Sequence, residues 1–252
     1  MRREKFQDKE FRKALNYAFN FEWLKKHIFY GSYSRTQSYF PNSDFAYKKF
    51  TLPKSDANDF GRKNLIIAKK ILDDAGYKVR NGKLVNPHTN KIMSLEFLIS
   101  SQSFAMIIAP FIDNLKKLGI DAKMKFIEEN QYEARVRNFD YDIIIAVFGQ
   151  NSVPASELLR YWHSSQAGIK GSQNYSGLKN RQIDDLVERI SKAQNKQELL
   201  FLCQKFDKIM LENYYTILQW HNDNYRILYK KELKIPQKLP KYGLGIDFWW
   251  KN

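Results

Sequence analysis

The stretch from Leu95 to Phe148 restricts the fold more than any other part of the chain. Leu95, Phe97 and Ile99 alternate as in a strand, and Phe104, Ile107, Ile108, Phe111, Leu115 and Leu118 then recur at helical spacing up to Gly119. Ala122, Met124 and Phe126 alternate again, and residues 130–138 read as a short helix. From Asp142 to Phe148 the chain is a continuous apolar run after its first residue, the pattern of a strand covered on both faces. Strand, helix, strand, helix, strand assembles most simply as a parallel sheet with right-handed crossovers. The spacing predicts an α/β fold: a mixed sheet with parallel strands flanked by helices.

The flanking segments are mainly helical. Asp8 is a suitable N-cap for a helix carrying Phe11, Ala14, Leu15, Ala18 and Phe19, and Asn20 for a second one ending at Gly31. Residues 31–61 have no period and read as a long loop, a common form of binding element. Leu65, Ala68, Ile71, Leu72 and Ala75 mark another helix, and Asn81-Gly82 predicts a tight hairpin turn. Further on come a helix over 155–163, a stripe of Ile183, Leu186, Val187 and Ile190, and another from Leu199 to Met210, which together predict a helical C-terminal subregion. Tyr215 to Tyr229 reads as one or two strands. The tail is irregular and ends in Trp249-Trp250, two side chains that are costly to leave in water and that call for a packing partner inside or outside this chain.

Composition removes several classes. At 252 residues, 43% hydrophobic and 15% aromatic, the chain can bury a core and is not disordered. A single Cys excludes an internal disulfide framework. The longest apolar run, Phe104 to Ile112, is too short to span a bilayer, and Asp8, Lys9 and Glu10 stand where a signal peptide would be apolar. The formal charge is +15, but the lysines are scattered along helix faces instead of forming a stripe with stacking aromatics. That pattern fits a solvated surface and gives no expectation of a specific nucleic-acid partner.

No catalytic constellation stands out. His27, His88, His163 and His221 do not pair with each other or with Cys203 at metal-ligand spacing, so neither a metal site nor a cofactor is expected. Cys203 sits on an apolar helical stripe and reads as a buried structural residue. Nucleophile elbows, Walker loops and dinucleotide fingerprints are absent from the sequence. The chain reads as a binding protein, not an enzyme.

In parallel α/β sheets, ligands gather outside the carboxyl ends of the strands. The third such end here is Phe148-Gly149-Gln150-Asn151-Ser152, an aromatic wall followed by uncharged hydrogen-bonding groups. Two readings stand side by side: a site for peptide or sugar groups, or a polar loop that caps the next helix through Ser152 or Ser156.

The run Phe6-Gln7-Asp8-Lys9-Glu10-Phe11-Arg12-Lys13-Ala14-Leu15-Asn16-Tyr17-Ala18 resembles a helix motif of the family 5 extracellular solute-binding proteins, the peptide-, dipeptide- and nickel-binding components of ABC importers. Phe21-Glu22-Trp23, Tyr30 through Ser43, Tyr141-Asp142 through Gly149-Gln150, Tyr161-Trp162, Gly171 through Tyr175, Gln219-Trp220 and Pro240 through Gly245 are similar to its YejA-like oligopeptide and microcin C binding branch. Each motif is weak alone. In order and at family-like spacing from about residue 6 to residue 250, they are specific together.

The resemblance implies a periplasmic binding protein-like lobe. Residues 1–235 would form the second lobe of a two-lobed protein, and 236–252 a tail returning to the first. The match covers the family's C-terminal half, so a truncated or split gene product is expected, with the N-terminal lobe missing. The implied function is capture of oligopeptide-like solutes in the periplasm for ABC permease subunits of the inner membrane. In oligopeptide-binding relatives an aromatic and an acidic residue follow the last buried strand. The matching positions here are Phe148 and Asn151, and the neutral Asn151 departs from the acid. Gln150 and Ser152 are auxiliary contacts by the same resemblance, with Arg35, Tyr39 and Arg160 as further candidates. Arg35 would either clamp a carboxylate or order the long loop through a salt bridge. Two alternatives remain: a stand-alone basic protein binding nucleic acid or an anionic membrane surface, and a non-functional gene remnant.

Overall fold

The computed structural model describes residues 1–149, 151–222, 224–240 and 243–251. The N-terminal part contains α1 (Lys9–Ala18), α2 (Phe21–His27), β1 (Ser34–Arg35) and α3 (Arg62–Asp74). A hairpin of β2 (Lys78–Arg80) and β3 (Lys83–Val85) follows, then β4 (Ser94–Ile99), α4 (Gln102–Lys117), β5 (Asp121–Phe126) and α5 (Glu129–Arg137). The remaining elements are α6 (Glu157–Trp162), α7 (Arg181–Ser191), α8 (Lys196–Glu212), β6 (Trp220–His221), β7 (Leu233–Lys234) and β8 (Trp250–Lys251).

Local chemistry accounts for these boundaries. Asp8 accepts the Glu10 amide at 2.8 Å and Asn20 the Trp23 amide at 3.0 Å, so both expected N-caps are in place. The hairpin turns at Asn81 (φ 49°) and Gly82 (φ 74°), the left-handed pair that such a turn requires. β4 and β5 pair in parallel in register from Ser94↔Asp121 to Ile99↔Phe126, with α4 as the crossover. The chain is therefore α/β with a parallel core, as its sequence pattern predicts.

The third strand departs from expectation. Only Ile143 bridges to β4, opposite Phe97, through Ile143 N to Glu96 O at 3.1 Å and Leu98 N to Ile143 O at 3.0 Å. Asp142 fixes this start, because its carboxylate accepts from Lys5 Nζ at 2.7 Å and from the Glu96 amide at 3.1 Å. Beyond it, residues 144–148 belong to no strand and pair with none of the described residues; they are half-buried except Val147, which is 87% exposed. Coverage on both faces, expected for Asp142 to Phe148, is not found. The strand expectation for Tyr215 to Tyr229 shrinks likewise to β6, paired antiparallel with β1.

Two apolar clusters form the core. The first joins α1, α2, α3 and α4 to β4 and β5 around Phe11, Phe19, Phe97, Phe111 and Leu115. The second joins α6, α7 and α8 around Trp162, Leu202 and Phe206. The long loop belongs to this second core, because Tyr39, Phe40 and Phe45 are buried in it. From 221 to 251 no described residue is buried.

Candidate functional site

A cavity of about 580 Å³ lies where the two clusters meet, with walls drawn from both. Phe97, Phe104 and Phe111 contribute from the first cluster, and Tyr39, Phe148 and Trp162 from the second. Residues 141–148 form one side and 214–221 another. The lining is mainly apolar with a few placed polar groups, as in small-ligand sites generally.

Phe148 is held by an aromatic cage. Its ring centroid lies 4.9 Å from Trp162, 5.2 Å from Tyr161 and 6.1 Å from Tyr175. α6 places the first two side by side. Tyr161 also donates to Gly149 O at 2.8 Å, which fixes the chain as it leaves Phe148. Asn151 and Ser152 follow on the exposed surface. Asn151 Nδ2 donates weakly to Glu157 Oε2 at 3.4 Å. Ser156 occupies the N-cap position of α6 but makes no side-chain cap bond. Gln150 lies outside the described residues.

The other candidates are dispersed. Tyr39 lines the cavity, with its hydroxyl 2.6 Å from Thr216 Oγ1, and burial raises its pKa further above the usual phenol value. Arg160 is exposed, its guanidinium 5.5 Å from the Tyr161 ring centroid. Arg35 is outside the cavity wall. Its guanidinium packs over Phe19 (4.7 Å) and Phe21 (5.6 Å), and burial lowers its pKa to about 10. Nε and Nη2 of Arg35 are buried with no hydrogen-bond partner among the described residues. Of the residues singled out from sequence, Phe148 and Tyr39 share the cavity.

Sequence reasoning missed the N-terminal arginines in the wall. Arg2 donates to the carbonyls of Ala167, Asn174 and Tyr175 at 2.7–3.1 Å. Arg12 donates to Phe6 O and Gln7 O, and twice to Asn213 O, at 2.7–3.1 Å. Their bonds tie α1 and the N-terminal segment to the second cluster. Scattered basic residues carry no sequence signal for such long-range carbonyl contacts.

Among the described residues there is no group of His, Cys, Asp or Glu that could hold a metal ion. No described helix is long and apolar enough to cross a membrane. Burial pushes the Cys203 thiol up to about 12, so it stays protonated, consistent with a packing role.

An α/β core bordered by an aromatic-walled cavity is the arrangement of a lobe of the periplasmic binding protein type. The oligopeptide-binding protein AppA of Bacillus subtilis, solved with a nonapeptide, superposes with a TM-score of 0.72 at 22% identity. That match covers 99% of this chain and 49% of AppA. The family model for bacterial extracellular solute-binding proteins, family 5 Middle, matches residues 1–170, and the chain belongs to that family of binding proteins. The probable peptide-binding protein YejA of Agrobacterium fabrum is 35% identical, over 100% of this chain and 45% of its own length. YejA of Escherichia coli K12 is 31% identical, over 99% of this chain and 45% of its own. The chain thus spans under half the length of the curated relatives it matches.

Proposed function

We propose that this chain supplies one lobe of the substrate-binding component of an ABC importer for oligopeptide-like solutes, acting in the periplasm with permease subunits of the inner membrane. The observation that carries the reading is the caged Phe148, followed by exposed Asn151 and Ser152. A rigid aromatic with amide and hydroxyl groups beside it suits an extended peptide, whose backbone offers both donors and acceptors. Asn151 accepts from an ammonium without adding charge attraction, so this lobe contacts a peptide amino terminus only through neutral groups. Gln150 and Ser152 add contacts by the same logic, with Tyr39 and Arg160 beside the aromatic wall.

Residues 1–235 form the lobe in this reading, and 236–252 reach back to the other lobe. The tail's exposure supports this. Phe248 and Trp250 are 65% and 50% exposed, and the exposed apolar run extends back to Tyr225 and Leu228. Such side chains on a soluble surface mark a contact with something else.

The mechanism is hinge closure, in which a ligand bridging two lobes stabilises the closed state through contacts present only there. One lobe alone offers half the contacts. Calorimetric titration of this chain with trialanine should show no saturable binding in the micromolar range. A micromolar Kd for the chain by itself would contradict the division of the site between two lobes.

A further inference from the structure

Lysines spread along the sequence meet at one end of the fold. The β2–β3 hairpin sets Arg80 directly opposite Lys83, with Lys78 on the same strand as Arg80. Like charges facing each other across a strand pair are unfavourable. The end of α4 abuts this hairpin, where the Leu84 amide donates to Gly119 O at 2.7 Å, and it brings in Lys116 and Lys117. Lys83 and Lys123 share one acid, Asp121, at 3.4 and 3.3 Å. Lys91 follows Asn90, whose side chain accepts from Arg80 Nη1 at 3.1 Å. All of these basic side chains are exposed, and among the described residues Lys78, Arg80, Lys91, Lys116 and Lys117 form no ion pair. The neighbouring Asp73 and Asp74 of α3 are taken up by Lys69 and Lys70. Asp113 shares a shallow groove with Lys116 and Lys123, which leaves this end strongly basic. A lysine in the last turn of a helix complements its dipole, which accounts for Lys116 and Lys117. Arg80 has no compensating charge among the described residues. Val79 and Ile92 stand among the cations, 48% and 55% exposed.

We propose that this end of the lobe is a docking surface for the phosphate headgroups of an anionic lipid bilayer. The chemistry selects that partner. All but one of the cations are Lys, a point charge on a flexible stem that attracts a layer of phosphates without demanding a fixed geometry. They come from a hairpin, a helix end and a strand, so no single element is presented to a nucleic-acid groove. Tyr77, the aromatic ring next to Lys78, is buried and cannot stack on a base. The exposed Val79 and Ile92 would meet the headgroup layer beside the charges. The patch lies at the amino ends of β4 and β5, where Ser94 pairs with Asp121, and none of its residues lines the cavity. It can therefore be engaged while the cavity is occupied, and the inference stands whether or not the solute is a peptide.

The test is cosedimentation of the chain with vesicles of phosphatidylglycerol and phosphatidylcholine in equal parts. The chain should sediment with them and not with vesicles of phosphatidylcholine alone. It should be released between about 0.1 M and about 1 M sodium chloride, as the screening length falls to about 3 Å. The combined variant Lys78→Gln, Arg80→Gln, Lys116→Gln and Lys117→Gln should bind at least tenfold more weakly. A variant of the same net charge, Lys179→Gln, Lys192→Gln, Lys196→Gln and Lys205→Gln, removes exposed lysines around α7 and α8 instead and should lose less than twofold. Acetylation of the parent chain by acetic anhydride, read by mass spectrometry, needs no variant. Vesicles should shield Lys78, Lys116 and Lys117 but not Lys192, Lys196 and Lys205. Equal weakening by the two variants would reduce the effect to bulk charge and overturn the inference, as would a failure to sediment with the anionic vesicles. A DNA duplex bound more tightly than the vesicles, and lost in the first variant, would overturn it too.

Discussion

Ser38 Oγ donates to Asp207 Oδ2 at 2.7 Å, joining residues 169 apart in the chain. The same carboxylate accepts the Tyr39 and Tyr47 amides, both at 2.8 Å, and is 0% exposed in the middle of α8. A loop without internal periodicity is thus clamped by one buried acid, which places Tyr39 on the cavity wall.

Replacing that acid should loosen the loop. Asp207→Ala leaves three donors without their acceptor, a loss on the order of 3 kcal/mol by the cost of stranded buried groups. Urea unfolding monitored by circular dichroism measures it. Burial is the largest influence on Asp207 and raises its pKa, against its three hydrogen bonds. A carboxyl with a raised folded pKa binds its proton more tightly when folded. Its share of the stability therefore declines as pH climbs from the unfolded carboxylate value through the folded one. The decline should be present in the parent chain and missing from Asp207→Ala.

Arg35 is expected to be nearly dispensable for stability. Its guanidinium gains ring contacts with Phe19 and Phe21, but two of its nitrogens are buried without partners. Cation–π contacts contribute about 1 kcal/mol each, and they are opposed by the desolvation that lowers the Arg35 pKa, which the charge of Glu22 offsets only in part. Arg35→Met, which keeps the stem's packing, should change the unfolding free energy by less than about 1 kcal/mol. A much larger loss would show that the charge has a partner of structural weight.

Cys203 should resist alkylation while the protein is folded. Its thiol is fully buried and raised to about 12, with desolvation the main cause and Asp207 and Glu157 adding to it. At pH 8 the native chain should react with iodoacetamide far more slowly than the urea-unfolded chain. A thiol raised in the fold holds its proton more tightly there, so its stabilising share is lost as pH climbs from the ordinary thiol value towards 12. Rapid modification of the native state would place Cys203 in an accessible pocket.

Much of the fold was legible because local signals and tertiary packing agree. The caps at Asp8 and Asn20, the Asn81-Gly82 turn and the alternation of β4 and β5 all appear where residue chemistry places them. The apolar run before Phe148 was misleading because periodicity reports burial potential, whereas pairing needs a neighbour on each side. The loop anchor at Asp207 was invisible for a different reason: a single acid on a helix says nothing about donors 160 or more residues away. At the candidate site, Phe148 was accessible to the strand-end rule. Its cage of Tyr161, Trp162 and Tyr175 needed coordinates.

The central claim is that these residues form one lobe of a peptide-capturing protein. Its most direct test joins this chain to the part of Agrobacterium fabrum YejA that it does not span. The chimera is incubated with a tryptic casein digest, desalted, and read by native mass spectrometry. The account predicts retained peptides on the chimera, at least tenfold fewer on its Phe148→Ala variant, and none on this chain alone. A cooperatively folded chimera that retains no peptide would contradict it.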